Sequence, residues 1–365
     1  MNQELKQRLS ELCAISGVSS REDEVARYMF DGFRKYTDDV TVDMLGNVTA
    51  AFKSGKPDAQ KVLLFGHMDE VGLIVKKVEY DGYLKLERIS AVNSHIIPGT
   101  VFHVRTHDGK FISGVVGAKS HHYMKPAEKE KMPDLSELAM DIGCRSKEEV
   151  LALGIDTGCV VSFIPNFVEL ANNLVSTKSA DDRVACLALL AVAEHVKGKR
   201  LDYDLYLVAS VQEEFNIRGI LPAVRNIDPD VAIGIDITPA GDSPDIRGMN
   251  DIRLGGGPAF TYLNYHGRGT LAGLVPNEKL VHHLEQVCRQ SGIPFQREVG
   301  RGLLTETAYI QISGQKGVAT AAISIPCRYA HTPTEVVCID DIAMTIDMLA
   351  AFVDSWDGSV KLSKI

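Results

Sequence analysis

Four short apolar runs of this 365-residue chain lead into a histidine or a carboxylate, and a fifth segment carries two adjacent aspartates. The continuous apolar runs are typical of strands that are covered on both faces. Ligands of an open α/β sheet bind beyond the carboxyl ends of its strands. The side chains are therefore expected to meet on one rim of a sheet. The segments are KVLLFGHMD, YLVASVQEE, VAIGID, AAISIPCRYAH and, opening a helix, KSADDR.

Strand and helix patterns alternate at the beginning of the chain and again after residue 166. This alternation predicts an α/β fold with a mostly parallel mixed sheet and helices on both faces. A helix is expected to begin near Ser20 with an approximate capping box, and Gly46 marks a hairpin turn. Between 72 and 166, short β-rich runs and Asp-Gly turns predict a small barrel or sandwich. We expect a catalytic domain of residues 1–71 and 167–365 with an inserted domain of 72–166.

Composition narrows the class of function. The net charge is −9, and no Lys/Arg cluster is dense enough to indicate nucleic-acid binding. No run approaches the roughly 18–20 apolar residues of a membrane span. The first residues have no apolar core of a signal peptide, and the seven cysteines are scattered. Reduced thiols and a cytoplasmic location are therefore expected.

The residue types at the expected rim suit a pair of divalent metals. Imidazole and carboxylate together favour Zn²⁺, with Co²⁺ or Mn²⁺ as substitutes. Asp69 follows His67 by two residues and is expected to accept its second ring N–H. Glu213 and Glu214 are adjacent and point in different directions, so one can ligate while the other acts as a general base. Each motif alone also fits a plain structural role, such as a helix cap.

Six motifs follow one another in a recognisable order: GHMDEVG, ADDRVAC, QEE, GIDIT, LGGGPAF and IPCRYAHTPTE. With them the whole chain resembles the co-catalytic zinc aminopeptidases that assemble as tetrahedral, TET-type particles. That family includes deblocking, leucyl and glutamyl aminopeptidases and FrvX-like proteins, and some members carry an endoglucanase M label. The resemblance implies a dodecamer whose β-rich insertion is a dimerisation domain.

The resemblance also implies a role for each site residue. Two divalent metal ions per chain would share Asp181 as a bridging carboxylate, with a cis bond to Asp182. Glu213 would be the general base, and Asp69 would orient a metal-ligating histidine. The remaining ligands are expected in two pairs, His67 with Asp236 and Glu214 with His331.

The segments expected to contact substrate differ from those of many members of the family that the chain resembles. Many relatives read Gly-Gly-Thr-Asp-Ala where this chain has Leu303 to Thr307, and Pro-Pro-His where it has Ser120 to His122. The bulkier leucines and the longer acid change the expected specificity. The residues expected to contact substrate are His122, Leu304, Thr305 and Glu306.

Together these features predict a metal-dependent aminopeptidase that removes N-terminal residues from short peptides. One alternative is a deacylase of N-acyl amino acids or amides on the same scaffold, suggested by the FrvX-like resemblance and the altered 303–307 segment. Another is a non-catalytic binding protein. A panel of aminoacyl-p-nitroanilides with Zn²⁺, Co²⁺ or Mn²⁺ separates these hypotheses.

Overall fold

A computed structural model describes residues 2–266 and 273–365, with the backbone alone at 127 and 128. The helices in this part of the chain are α1 (Asn2–Ala14), α2 (Asp23–Phe33), α3 (Pro126–Glu130), α4 (Lys147–Ala152), α5 (Ala180–Val196), α6 (Leu221–Ile227), α7 (Glu278–Ser291), α8 (Thr307–Gln311) and α9 (Ile339–Ser355). None of these helices is long and apolar enough to cross a membrane.

The strands form one large sheet and one closed barrel. In chain order they are β1 (Val40–Val42), β2 (Val48–Phe52), β3 (Lys61–His67), β4 (Leu73–Val78), β5 (Leu84–Arg88), β6 (Val101–Arg105), β7 (Phe111–Val116), β8 (Met140–Asp141), β9 (Val160–Phe163), β10 (Phe167–Glu169), β11 (Leu174–Thr177), β12 (Asp204–Ser210), β13 (Val231–Pro239), β14 (Ala259–Tyr265), β15 (Gly273–Leu274), β16 (Gln296–Arg301), β17 (Ala319–Arg328) and β18 (Glu335–Cys338).

The large sheet is mixed, with the order β1-β2-β12-β3-β13-β17-β18-β11-β10. Its four central strands β12, β3, β13 and β17 are parallel, and the strands on both sides of them pair antiparallel. The remaining strands β14, β15 and β16 attach through β17. The predicted α/β fold is confirmed, and its parallel part is the centre of the sheet.

Helices cover the large sheet on both faces, so its central strands are buried along nearly their whole length. Helices α1, α2, α5, α7 and α9 pack together on one face, while α6 and α8 pack on the other. The sequence of α5 is apolar around nearly its whole circumference, which is typical of a helix enclosed on every side. This arrangement leaves the carboxyl ends of the central strands as the open rim.

The barrel is formed by β4-β5-β8-β7-β6-β9 and has a hydrophobic core of its own. Its strands lie inside the predicted insertion of 72–166, and the Asp-Gly turns fall between paired strands. The exact domain boundaries stay a prediction. The segment between β7 and β8 contains α3 and a short turn capped by Asp134.

Two local predictions are wrong. Helix α2 begins at Asp23 rather than near Ser20, because Ser20 has a left-handed φ of 75°. The side chain of Glu22 does not cap the helix and instead accepts hydrogen bonds from Ser20 and Gln212. The second error concerns Asp236, which lies inside β13 rather than at its end, since that strand continues to Pro239.

Candidate metal centre and active-site cleft

The predicted metal residues meet at the open rim, in a cleft of about 760 Å³. His67 is the last residue of β3, and Asp236 lies three residues before the end of β13. His331 follows β17, Asp181 opens α5, and Glu214 follows β12. The peptide bond between Asp181 and Asp182 is cis, as the resemblance implied. Residues from five separate parts of the sequence therefore share one small volume.

Asp181 lies between the two histidines. Its Oδ1 is 3.1 Å from Nε2 of His67, and its Oδ2 is 3.3 Å from Nε2 of His331. On the far side, Nε2 of His331 is 3.2 Å from Oε1 of Glu214. One carboxylate that presents each of its oxygens to a different imidazole is the arrangement needed to bridge two cations.

In the part of the chain that the structure describes, two groups of three ligand atoms are compact enough to hold a metal ion, with all atoms of a group within 4.8 Å of one another. One contains His67, Asp181 and Glu214, and the other contains His67, Asp182 and Asp236. The nitrogen and carboxylate donors fit Zn²⁺, Co²⁺ or Mn²⁺ by their chemistry. The groups differ from the predicted ligand pairs, since His67 occurs in both and Asp182 was not expected.

Asp182 is engaged by backbone donors. Its Oδ2 accepts from the amide of His67 at 3.3 Å, and its Oδ1 accepts from the amide of Ala185 at 3.3 Å. Burial raises the pKa of Asp182 well above its ordinary range, and the charge of Asp236 adds to this. Asp182 thus ties the end of β3 to the beginning of α5 from behind the cleft.

The electrostatics of the cleft favour added positive charge. Burial opposes ionisation of Asp181, yet hydrogen bonds from the two histidines hold its pKa below the usual range. The charge of Glu214 raises the pKa of His331 to about 12, against the effect of burial. Burial raises the pKa of Glu213 well above its ordinary range, while His67 opposes the rise. A potential that keeps protons on imidazoles also attracts divalent cations.

Asp69 contacts His67, and the shorter of the two contacts is made by its backbone carbonyl oxygen. Nδ1 of His67 is 3.1 Å from the carbonyl oxygen of Asp69 and 3.4 Å from its carboxylate Oδ1. The predicted geometry assumed a continuing strand, whereas β3 ends at His67. The Asp69 carboxylate instead accepts the hydroxyl of Ser19 and the amides of Glu213 and Glu214. It therefore fixes both the imidazole and the turn that carries the two glutamates.

The turn of residues 211–214 is held by side chains along its whole length. Its four successive amides donate to oxygens of residues distant in sequence: Val211 to Asn47, Gln212 to Glu22, and Glu213 and Glu214 to Asp69. Gln212 has a left-handed φ of 55°, so the backbone here departs from the direction of β12. These bonds give the turn a fixed path without strand pairing.

Glu335 is a functional residue that the sequence analysis missed. Its buried carboxylate accepts the amide of His331 at 2.8 Å and the amide of Asp181 at 3.0 Å. His331 has a left-handed φ of 62°, which this bond helps to hold. Glu335 therefore connects two proposed ligands by their backbones. The available signal was its position four residues after His331 in the HTPTE motif.

The predicted substrate residues divide into two groups. Leu304 and Thr305 line the cleft, as expected of residues that contact substrate. Glu306 does not line it; it is 2 % exposed and accepts the Ser210 hydroxyl at 2.5 Å. His122 is exposed on the barrel and is not part of the cleft wall in this chain. The barrel reaches the cleft instead through residues 88–91.

Comparison with known proteins assigns the family. Residues 46–348 match the M42 glutamyl aminopeptidase family. SgcX of Escherichia coli strain K12, which is named as an aminopeptidase, is 43 % identical over 96 % of this chain and 94 % of its own. The structure is also similar to aminopeptidase APDkam598 of the archaeon Desulfurococcus kamchatkensis, with 33 % identity and a TM-score of 0.91, covering 100 % of this chain and 99 % of that chain.

A third likeness concerns the fold alone. The TET1 peptidase of Pyrococcus horikoshii, which can assemble into a tetrahedron or a large octahedral shell, is 24 % identical with a TM-score of 0.84. The alignment covers 96 % of this chain and 99 % of that chain. From the family match and the identity to SgcX, we conclude that the chain is a peptidase that belongs to the M42 glutamyl aminopeptidase family.

Proposed function

We propose that the protein is a metal-dependent aminopeptidase that removes N-terminal residues from short peptides by activating water at a pair of divalent metals. The observation that carries the proposal is the position of Asp181, whose two oxygens face His67 and His331 at 3.1 and 3.3 Å. A bridging carboxylate between two histidine-containing clusters suits a co-catalytic metal pair and has no equally good structural explanation.

The proposed ligands are those expected from the sequence, with Asp181 shared. Two bound ions would polarise the scissile carbonyl and lower the pKa of a water from about 16 to about 7. Zn²⁺ is the proposed metal, with Co²⁺ or Mn²⁺ as substitutes, because the donors are imidazoles and carboxylates. The ligand pairs are His67 with Asp236 and Glu214 with His331.

Glu213 is proposed as the general base. Its Oε2 is 4.0 Å from Nε2 of His67, so it lies beside the ligands. Its amide is held by Asp69, which fixes the direction in which the side chain leaves the turn. A carboxylate whose pKa is raised by burial holds a proton well enough to take it from water and deliver it to the leaving amine.

The test begins with chelation. Protein treated with a chelator and then reloaded separately with Zn²⁺, Co²⁺ or Mn²⁺ is assayed on aminoacyl-p-nitroanilides and on N-acetylated amino acids. We expect nitroaniline release only from substrates with a free amino group and only after metal is restored. Release of free amino acids from the acetylated compounds alone would support the deacylase alternative. Elemental analysis well below two ions per chain would support a non-catalytic binding protein.

We further propose self-association to a dodecamer in which the barrel is a dimerisation domain. The support is the fold that the chain shares with the TET1 peptidase of Pyrococcus horikoshii, whose assemblies are named above. Two valines on the outside of the barrel, Val101 and Val115, are register partners and are 43 % and 44 % exposed. Seven scattered free cysteines support a reducing compartment such as the cytoplasm.

A further inference from the structure

The cleft contains a carboxyl group that the proposed mechanism does not use. Glu298 on β16 lines the cleft, although it is only 5 % exposed. The hydroxyl of Thr238 donates to its Oε1, and the hydroxyl of Thr261 donates to its Oε2 at 2.8 Å. Because each oxygen receives a donor, these contacts stabilise the ionised form of the group.

The sheet places Glu298 beside the proposed metal ligands. Thr238 follows Asp236 by two residues on β13, so both side chains point to the same face of the strand. Ser324, which also hydrogen-bonds Glu298, is the register partner of Asp236 on β17. Two of the three hydroxyls that hold Glu298, those of Thr238 and Ser324, therefore come from positions next to Asp236.

A second polar group points to a ligand in the same place. A bulge at Tyr262 brings Asn264 to the same face of β14 as Thr261, the register partner of Glu298. Asn264 is 3 % exposed and lines the cleft, and its Oδ1 has no hydrogen-bond partner among the described residues. A buried acceptor without a donor costs free energy unless a ligand supplies one.

Apolar groups complete the recess formed by Glu298, Asn264 and Leu303. A side chain at Gly300 would begin 3.7 Å from Oε1 of Glu298 and 3.0 Å from Cδ1 of Leu303, so Gly300 keeps this space open between them. Leu303 and Leu304 both line the cleft. The recess thus has aliphatic walls and two side chains, Glu298 and Asn264, that carry acceptor oxygens.

Among the described residues, residues 2–266 and 273–365, no lysine or arginine is paired with Glu298. Burial raises the pKa of Glu298 above its ordinary range, and the hydroxyl groups of Thr238, Thr261 and Ser324 oppose this rise. Among the described residues that line the cleft, Arg88 is the one arginine or lysine, and it comes from the barrel, where it hydrogen-bonds Ser94. A cation bound there would favour the ionised form of Glu298 and would displace no ion pair that this group makes with the described part of the chain.

We propose that this recess binds the cationic end of a basic N-terminal side chain, with Leu303 and Leu304 against its methylene groups. The inference rests on the proposed aminopeptidase function and names its substrate class. Lysine and arginine share an aliphatic stem and a terminal cation with several N–H donors, which match Glu298 and Asn264. Charge-assisted hydrogen bonds of this kind are among the stronger polar contacts in proteins.

The test compares lysine with norleucine, which has a similar length and no charge. We expect the metal-loaded protein to show a higher kcat/KM for lysyl- or arginyl-p-nitroanilide than for norleucyl- or glutamyl-p-nitroanilide. Glu298→Gln should lower the lysine-to-norleucine ratio by about tenfold to about a hundredfold. Glu298→Asp, which keeps the charge, should retain part of the preference. The arginine and lysine arms show which of the two cations the recess accepts better.

The matched control is Glu285→Gln. Glu285 is a buried glutamate that bonds Arg297 and Tyr262 from the other side of the same two strands. Its loss should leave the lysine-to-norleucine ratio unchanged. The proposal would be overturned if Glu298→Gln lowered kcat/KM equally for the lysyl and norleucyl substrates. A wild-type preference for the norleucyl or glutamyl substrate would also overturn it.

A binding measurement separates this inference from the proposed function. In thermal denaturation, lysinamide should raise the Tm of the wild-type protein more than norleucinamide does, and Glu298→Gln should abolish the difference. This result is expected even if no p-nitroanilide is cleaved. Absence of cleavage would refute the proposed aminopeptidase function but not the binding of a cation in the recess. Equal shifts with both amides would refute the cation recess whether or not the protein is active.

Discussion

At the residue scale, the cleft contains carboxyl groups of the same chemical type in very different situations. Glu213 and Glu214 are adjacent, yet Glu214 faces His331 at 3.2 Å while Glu213 lies 4.0 Å from His67. Glu306 is turned away from the cleft toward Ser210, and burial raises its pKa to about 7. The backbone that carries each group, rather than its residue type, decides its chemistry.

The first prediction concerns Glu213→Gln. The amide cannot take a proton from water, so turnover should fall by about 10²- to 10⁴-fold. The metal content should be unchanged, because Glu213 is not a proposed ligand. The measurements are kcat/KM on the best p-nitroanilide and elemental analysis of the same sample. Activity close to the wild-type level would show that another group is the base.

The second prediction concerns Glu335→Gln. The amide can accept from only one of the two backbone N–H groups that Glu335 holds, those of Asp181 and His331. We expect the apparent affinity for metal to fall by about 10- to 100-fold, as for other groups that orient metal ligands. Competition with a chelator measures this affinity, with Glu285→Gln as the control. An unchanged affinity would mean that the ligands are positioned by other contacts.

At the element scale, the turn of residues 211–214 shows how a site is built at the end of a strand. Once β12 leaves the sheet, its amides have no partner strand, and Asn47, Glu22 and Asp69 replace it. Those three residues come from the first 70 of the chain, before the barrel begins. The turn follows the inserted barrel in the sequence, and the residues that support it precede that barrel.

The third prediction tests this support at Glu22. Its Oε1 accepts the amides of both Ser20 and Gln212, so Glu22→Ala leaves two N–H groups without an acceptor. The free energy of unfolding should fall by about 1–3 kcal/mol, and kcat should fall with it as Glu213 loses its fixed direction. Glu22→Gln keeps an oxygen at that position and should restore both values. Urea denaturation and steady-state kinetics measure them.

The elements also show what sequence reasoning can and cannot predict. Apolar runs and the Asp-Gly turns were sufficient to predict the sheet, the helices and the β-rich insertion, because buried strands, buried helix faces and tight turns each have a recognisable sequence pattern. The contacts made by Asp69 and Glu335 have no such sequence pattern, since each depends on backbone amides that only the fold brings close. His122 and Glu306 were named from a motif, but burial and position in the completed fold put them elsewhere.

At the scale of the whole molecule, the cleft lies where the catalytic sheet meets the barrel. Its walls include residues 88–91 from the barrel side, together with the metal residues on the rim of the large sheet. The barrel therefore does more than present an outer surface, since the same unit that is proposed to pair chains also shapes the space open to a peptide.

The fourth prediction concerns assembly. Light scattering should give the wild-type protein a mass close to twelve times that of one chain. Placing aspartates at the neighbouring Val101 and Val115 should lower the mass, because the charges would be buried in the proposed interface. Val168→Asp is the control, since Val168 is exposed on β10 of the large sheet. A wild-type mass of one or two chains would refute the dodecamer.

The link that Glu335 makes between Asp181 and His331 has a consequence for biosynthesis. In a nascent chain, His67 and Asp181 are synthesised well before His331 and Glu335, as their order in the sequence requires. The ligand pair of Glu214 and His331, with its backbone support from Glu335, cannot form before residue 335 has been synthesised. Loading of both metal positions is then expected only after the segment with His331 and Glu335 has joined the sheet, and a chain truncated before that segment should acquire no activity.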